Sequence, residues 1–405
     1  MPPIDQPGRA RTAADAHPWR AAIGITLLGI VAEMALTIWI LPAALQWGGW
    51  FIAGDAWPPI TPAHFVSYGA FPYLYEGSKA FVAGPLLPLV LAPVAGLGNV
   101  LGLSESIPFP IPHPTLWLVY GPYAIGVSCV AFLWAVRRLA TQAGIRNGRA
   151  RLQLAETALV LVPAVGIWAH FEEPLALAAT MLAVGEAHEG RLRRAAILVG
   201  VAIGFKQWAV LALPLLVAAA PPGRRVKTLA WGLAVPVVVF GLPLVLDWRW
   251  AAPAIFSARA FPRMGHAALW VASSVHHTVG TPFRSLAVAC SVAVAWRIRE
   301  RATLRVLLAA LASVLMLRLV FEPVLYAYYL APPLGVLVVY ELVRTGRATR
   351  VILCGTVALL LFALHPHPVI WWTAEAALLV PIAAPVLAEA LALPAVRRRE
   401  MVSAP

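Results

Sequence analysis

The sequence predicts an all-α, polytopic transmembrane helical bundle, and three observations carry that reading. Hydrophobic residues make up 61% of the 405 and charged residues only 12%, so most of the surface suits a solvent other than water. Apolar stretches of about 20 residues, the length that crosses a hydrocarbon core, recur from one end of the chain to the other. Most of the basic residues fall in short runs between those stretches. About 10–13 membrane segments are expected.

The excess of 31 Lys and Arg over 18 Asp and Glu does not point to nucleic acid, because the basic runs are spaced as topology signals. Cys129, Cys290 and Cys354 lie singly in apolar segments, which argues against a disulfide framework or a zinc site. Residues 1–20 carry Arg9, Arg11 and Arg20 without a signal-peptide cleavage pattern and read as a disordered cytoplasmic tail. The apolar segment 21–47 is too long for a signal-peptide core and reads as the first transmembrane helix. Residues 21–395 then form a single transmembrane domain with outward loops at 49–79 and 247–284, and 396–405 form a second cytoplasmic tail. The expected location is the inner (plasma) membrane, with both termini cytoplasmic.

Basic runs at 137–151, 191–194, 224–227, 297–305, 344–350 and 397–399 are cytoplasmic by the positive-inside rule. Between them lie polar interruptions at 170–174, 205–208, 247–284, 318–323 and 365–368, which should face outward. Two intervals strain this scheme. Before Arg137 only an odd number of crossings works, so either the stretch 81–103, with Pro85, Pro88 and Pro93, is broken and re-entrant or one crossing is misjudged. The interval from Arg194 to Arg224 is too short for two spans of about 20 residues each, and holds either two short helices or one span.

Chemistry-bearing residues gather at the outward apices. The loop 49–79 contains Asp55, Tyr73 and Glu76 among many aromatics; an interfacial helix accounts for the aromatics, whereas carboxylates near a bilayer surface need a cation or a task. At 170–174, capping of a helix N-terminus explains one of Glu172 and Glu173, but not both together with His170. Lys206 interrupts an apolar run and must meet a carboxylate, a phosphate or water, with Glu172 or Glu173 as the plain partner. Arg318 and Glu322 are four apart on one helical face and suit each other, while Tyr326, Tyr328 and Tyr329 add three phenols beside them, or an interfacial belt. Arg249, Arg259, Arg263, His266 and Arg284 make the second outward loop basic, which fits a lipid phosphate or ordinary anionic headgroups. The spacing of His276-His277 and of His365 and His367 is not that of helical metal ligands.

These elements resemble the GT-C membrane glycosyltransferases. The likeness rests on a long first outward loop with the acidic Asp55, on Gly69-Ala-Phe-Pro72-Tyr73, and on Gly84-Pro-Leu-Leu-Pro88 at a helix start. The stretch from Ala195 through Gly200 and Gly204 to Lys206 is similar to one in the actinobacterial polyprenol-phosphate-mannose-dependent mannosyltransferases. The resemblance covers the first half of the chain. It implies a GT-C-like fold and inverting transfer of a sugar, mannose or another hexose or a pentose, from a polyprenyl-phosphate donor. The acceptor would be a lipid or a cell-envelope glycan on the outer face. It implies no cofactor and leaves a metal requirement open. Carried onto this chain, the catalytic base is Asp55. Here Asp55 is followed by Trp57-Pro-Pro rather than closely by an aromatic pair, which keeps Glu76, Glu172 and Glu173 as rivals.

Such a reaction needs a carboxylate to take the proton of the attacking hydroxyl and cations in place for the leaving phosphate. Lys206, Arg318, Arg249, Arg259, Arg263 and His266 are the candidates for the phosphate. His170, Trp208, Glu322, Tyr326, Tyr328, Tyr329 and Tyr73 are the candidates for sugar and acceptor. The expected partners are the donor lipid, the acceptor and membrane lipids. The main rival reading is a multi-pass transporter or flippase of a lipid-linked or anionic substrate, which would place its binding groups near mid-depth. A non-catalytic scaffold is a third.

Overall fold

A computed structural model of the chain describes residues 18–52, 54–76, 84–105, 111–145, 157, 169–256, 266–267, 280–322, 324–362 and 368–392. Its architecture is all-helical apart from one pair of two-residue strands. Five helical stretches, 19–45, 117–142, 222–246, 304–321 and 369–391, are long and apolar enough to cross a membrane. The other expected segments are shorter or fall outside the described residues. Apolar side chains cover the outer faces of these helices, with Leu28 74% and Val245 80% exposed, which suits lipid rather than water.

Helix α1 (Pro18–Ala35) runs through a π turn (Leu36–Ile40) into a last helical stretch (Leu41–Leu45) and packs along α4 (Trp117–Gln142). The helix begins at Pro18, inside the tail expected over 1–20; the rest of that tail and residues 396–405 lie outside the described residues. Between α1 and α4 come two shorter helices, α2 (Ile60–Ser67) and α3 (Leu86–Val100), packed on each other. Both stay at the end of the bundle where α1 finishes and α4 begins. Asn99 donates to the Tyr68 hydroxyl at 2.8 Å, Trp50 N–H bonds the Pro112 carbonyl, and Gly98 abuts Leu116.

In the first strained interval two membrane-length helices, α1 and α4, are therefore joined by a helical pair packed at one end of the bundle. The expected break within 81–103 is corrected over its described part, because α3 is continuous. Pro85 caps α3 and Pro88 sits in its first turn, where no N–H is required. Pro93 alone is interior, and in the turn it disturbs the Tyr123 hydroxyl bonds the Val90 carbonyl at 2.8 Å.

Helix α5 (Glu172–His188) starts at the same end and finishes at the other, where Arg138 of α4 and Arg191 both bind Glu186. Then α6 (Leu192–Phe205) returns and stops at Lys206, whose backbone is extended; a 3-10 turn (Gln207–Leu211) and α7 (Ala212–Ala219) lead back. Gly232 of α8 (Arg225–Leu246) contacts both Leu213 and Ala196, so α6 and α7 lie antiparallel with Lys206 at the tip. The second strained interval is thus two short helices. A 14-residue helix spans about 21 Å, against about 30 Å of hydrocarbon, so the tip is sunk below the ends of the full spans.

Helices α9 (Trp248–Phe256), α10 (Gly280–Ile298), α11 (Leu304–Phe321), α12 (Ala331–Thr345), α13 (Thr349–Leu361) and α14 (Pro368–Leu391) complete the bundle. The loop expected over 247–284 is helical at both edges, since α9 opens it and α10 includes 280–284. From its middle, β1 (His266–Ala267) pairs antiparallel with β2 (Val324–Leu325) beyond α11, in register His266 to Leu325. Arg297, Arg301, Arg305 and Arg344 collect at the end opposite Lys206, where Arg305 and Tyr340 share Glu389.

Candidate active site

The end holding the Lys206 tip gathers most of the polar apices. Two supports on α4 set its frame. The Tyr120 hydroxyl donates to the Ala56 carbonyl at 2.6 Å, fixing the 3-10 turn Gly54–Ala56 that carries Asp55. Two turns along, the Ser128 hydroxyl donates to the Phe171 carbonyl at 3.0 Å, fixing the segment that carries His170. Trp57, Trp117 and Phe171 pack around the Tyr120 ring. One helix thereby positions both sides of the contact between Asp55 and His170. Ala169 adopts φ +55°, a left-handed conformation unusual outside glycine, immediately before His170.

From His170 a chain of polar contacts runs inward. Its Nε2 lies 3.4 Å from Asp55 Oδ2, long for a hydrogen bond between neutral groups but close for an ion pair. Its Nδ1 lies 2.8 Å from Glu172 Oε1. That same oxygen accepts from Lys206 Nζ at 2.6 Å, and Lys206 also stands 3.4 Å from Glu173 Oε1. The Trp208 indole donates to Glu173 Oε2 at 2.6 Å. The first turn of α5, which favours anions by its dipole, thus holds two carboxylates that the α6–α7 tip binds through one ammonium and one indole N–H. Burial opposes protonation of His170, but the neighbouring Glu172 charge, the hydrogen bond to Glu172 and the ion-pair contact with Asp55 outweigh both that and the Lys206 charge. Its value is raised above the ordinary one.

Tyrosines join this chain to a second ion cluster. The His170 ring stacks on Tyr328, which stacks on Tyr326 and meets Tyr329 edge-on. Lys206 Nζ is 5.5 Å from the Tyr328 ring centre, and the Arg318 guanidinium is 4.7 Å from that of Tyr329. Arg318 donates to Glu322 Oε1 at 3.0 Å, while Arg284 of α10 reaches Glu322 Oε2 at 3.2 Å.

Exposure separates the carboxylates. The Asp55 side chain is 51% exposed, whereas Glu172, Glu173 and Glu322 are buried and already bonded. Of the cations, Arg284 is 43% exposed, whereas Lys206 and Arg318 are nearly enclosed with their carboxylates. Among the described residues no group of His, Cys, Asp and Glu has the geometry to hold a metal ion.

The structure therefore brings together Asp55, His170, Glu172, Glu173, Lys206, Trp208, Arg318, Glu322, Tyr326, Tyr328 and Tyr329. Two expected residues lie apart from them. Tyr73 is exposed on a 3-10 turn packed against α8, and Glu76 stands near Asp247; burial and the Glu76 charge together hold the Asp247 carboxyl above its usual range. Arg259 and Arg263 lie outside the described residues, and His266 is described only through its backbone pairing with Leu325. Arg249 makes no contact with the cluster among the described residues. Sequence reasoning passes over Tyr120 and Ser128, and it names Arg284 only as one of the basic residues of the second outward loop, without singling it out for the phosphate. The first two sit in an apolar span at a spacing of eight, on one helical face, and that spacing was the available signal.

Gly84 explains one motif of the first half. Its N–H bonds the Phe205 carbonyl at 2.9 Å, and a Cβ there would lie 2.0 Å from the Gly204 carbonyl oxygen. The glycine lets the start of α3 press against the backbone that presents Lys206.

Fold and site define a class: an all-helical bundle with membrane-length apolar helices and, at one end, a charge cluster built from the start of α5, the α6–α7 tip, the end of α11 and the Asp55 turn. No known protein family matches the chain, and no curated protein is similar enough to count as a relative.

Proposed function

We propose that the chain is a GT-C-type membrane glycosyltransferase that moves a sugar from a polyprenyl-phosphate donor to a lipid or envelope-glycan acceptor. In this reading the Lys206 end faces outward from the plasma membrane, and the basic end and both termini face the cytoplasm. One observation carries it: Asp55 is the half-exposed carboxylate at the rim of an otherwise buried and internally paired cluster.

Asp55 takes the proton as the acceptor oxygen attacks the anomeric carbon, and the bond from that carbon to the phosphate oxygen breaks with inversion. The departing phosphate keeps the electron pair. Arg284 is the cation with a free face for it, and Arg318 supports Arg284 through their shared Glu322. His170, lodged between Asp55 and Glu172, orients the base. The Glu172–Lys206–Glu173 group makes a fixed floor beneath them. Tyr326 and Tyr328 offer ring faces and hydroxyls to a sugar. The rivals Glu172 and Glu173 are poor bases here because Lys206, His170 and Trp208 occupy them, and Glu76 stands away from the cations.

The break at Lys206 favours a second reading, a transporter or flippase, since discontinuous helices with buried charges also line transport sites. Purified protein in vesicles, given labelled polyprenyl-phosphate sugar and envelope lipids, separates the two. Formation of glycosylated product supports transfer, and movement of intact donor between leaflets without product supports transport.

A further inference from the structure

At the end opposite Lys206 most cations are answered within the chain. Arg138 and Arg191 bind Glu186, Arg305 binds Glu389, and Arg301 donates to the Ala390 carbonyl at the end of α14. A different pattern holds where α6 and α8 begin. Arg193 and Lys227 are exposed and have no carboxylate within ion-pair distance among the described residues, and neither helix carries an acidic residue in its first turn. A cation at a helix start is opposed by the dipole, so these charges do not serve the helices that bear them. Topology asks only for positive charge on that side of the bundle; it does not ask that the charges converge.

Here they do converge. The two helices start at the same end and lie side by side, so close that a Cβ on Gly200 would stand 2.7 Å from the Gly232 carbonyl oxygen. That approach brings the Arg193 guanidinium over the Trp231 ring, 4.2 Å from its centre. The contact leaves the guanidinium its N–H donors. Lys227 sits one turn before Trp231 on the same face of α8. Two cations therefore flank one exposed indole. Beyond Trp231 that face continues as Val238, Leu242 and Val245, all exposed, so an apolar track leads away from the charges. Trp231 to Leu242 covers about 17 Å, close to the roughly 15 Å of one leaflet. A phosphate joined to hydrocarbon matches both parts, and two uncompensated cations select a headgroup of net negative charge. A soluble anion would leave the track unused.

We propose that the paired starts of α6 and α8 hold one anionic phospholipid, its phosphate between Arg193 and Lys227 and an acyl chain along Trp231, Val238 and Leu242. The seat depends neither on sugar transfer nor on which way the bundle faces across the membrane, so its test uses no activity. Full-length protein is reconstituted in phosphatidylcholine vesicles with a trace of phosphatidylglycerol or of phosphatidylcholine, each carrying a photoactivatable diazirine in one acyl chain, and the labelled peptides are mapped. Labelling of α8 by the phosphatidylglycerol probe should exceed that by the phosphatidylcholine probe about 25-fold, roughly 5-fold for each cation near the headgroup. Arg193→Gln and Lys227→Gln should each cut that excess about 5-fold. Arg347→Gln, which removes another exposed cation at the same end, should leave it unchanged. All three positions are exposed, so the variants should melt with the parent protein. Equal labelling by the two probes, an equal loss in Arg347→Gln, labelling that spares α8, or displacement of the probe by inorganic phosphate would overturn the proposal.

Discussion

Lys206 Nζ lies 2.6 Å from Glu172 Oε1, an ion pair that ties the tip between α6 and α7 to the first turn of α5. Neither group is affordable alone at that depth, and together they let the chain reverse inside the bundle. The reversal puts the Arg191–Arg194 and Arg224–Lys227 runs on one side, as the positive-inside rule asks.

Removal of one partner leaves the other charge buried. Lys206→Met should lower stability by about 3–5 kcal/mol. Lys206→Arg, which keeps the charge, should cost clearly less. Thermal unfolding of the purified variants in detergent checks this, and unchanged melting of Lys206→Met would mean that the pair is not the clasp described.

The contact of Gly84 with the Gly204 carbonyl should tolerate no side chain. Gly84→Ala must shift backbone at the Lys206 tip and should cost about 1–3 kcal/mol. The same substitution at Gly223, which has open space around it, should be close to neutral. Comparison of melting temperatures for the two variants reads the difference.

His170 supplies a pH dependence of known sign. Its folded-state value is raised, so its contribution to stability is fully present below the ordinary value of about 6.5 and is lost as pH climbs through the raised one. The melting temperature should therefore fall as pH rises above about 6.5, and His170→Gln should flatten that slope over the same window. A scan of melting temperature from acid to mildly alkaline pH gives the answer.

Arg284 tests the phosphate end. Arg284→Gln leaves Glu322 bonded to Arg318, so the fold should hold while kcat/KM for the donor drops roughly 10–100-fold, the range for a lost charged hydrogen bond. An equal loss of folded protein would instead make Arg284 a structural strut.

Much of the cluster was legible because charge inside apolar sequence is costly and must be answered. Lys206, Glu172, Glu173, Arg318 and Glu322 stood out on that ground alone, and the plain pairings weighed for Lys206 and Arg318 are the ones found. Less legible was anything set by distant contacts. Tyr73 and Glu76 share a loop with Asp55, yet the chain turns at α2 and carries them toward α8 and Asp247. The prolines of α3 suggested a break because the sequence does not reveal that two of the three fall at a helix start. Arg284 was hidden in a basic loop whose arginines look alike until α10 aims one of them at Glu322.

Asp55 is the test of the whole account. Asp55→Asn keeps the size and a hydrogen-bonding group at the rim but cannot take a proton. With purified protein, a labelled polyprenyl-phosphate sugar and an acceptor lipid, it should reduce transfer by about 10²–10⁴-fold with unfolding unchanged, while Glu76→Gln transfers normally. Full transfer by Asp55→Asn would contradict the assignment of the base, and with it the reading of the cluster as a catalytic site organised around Asp55 and His170.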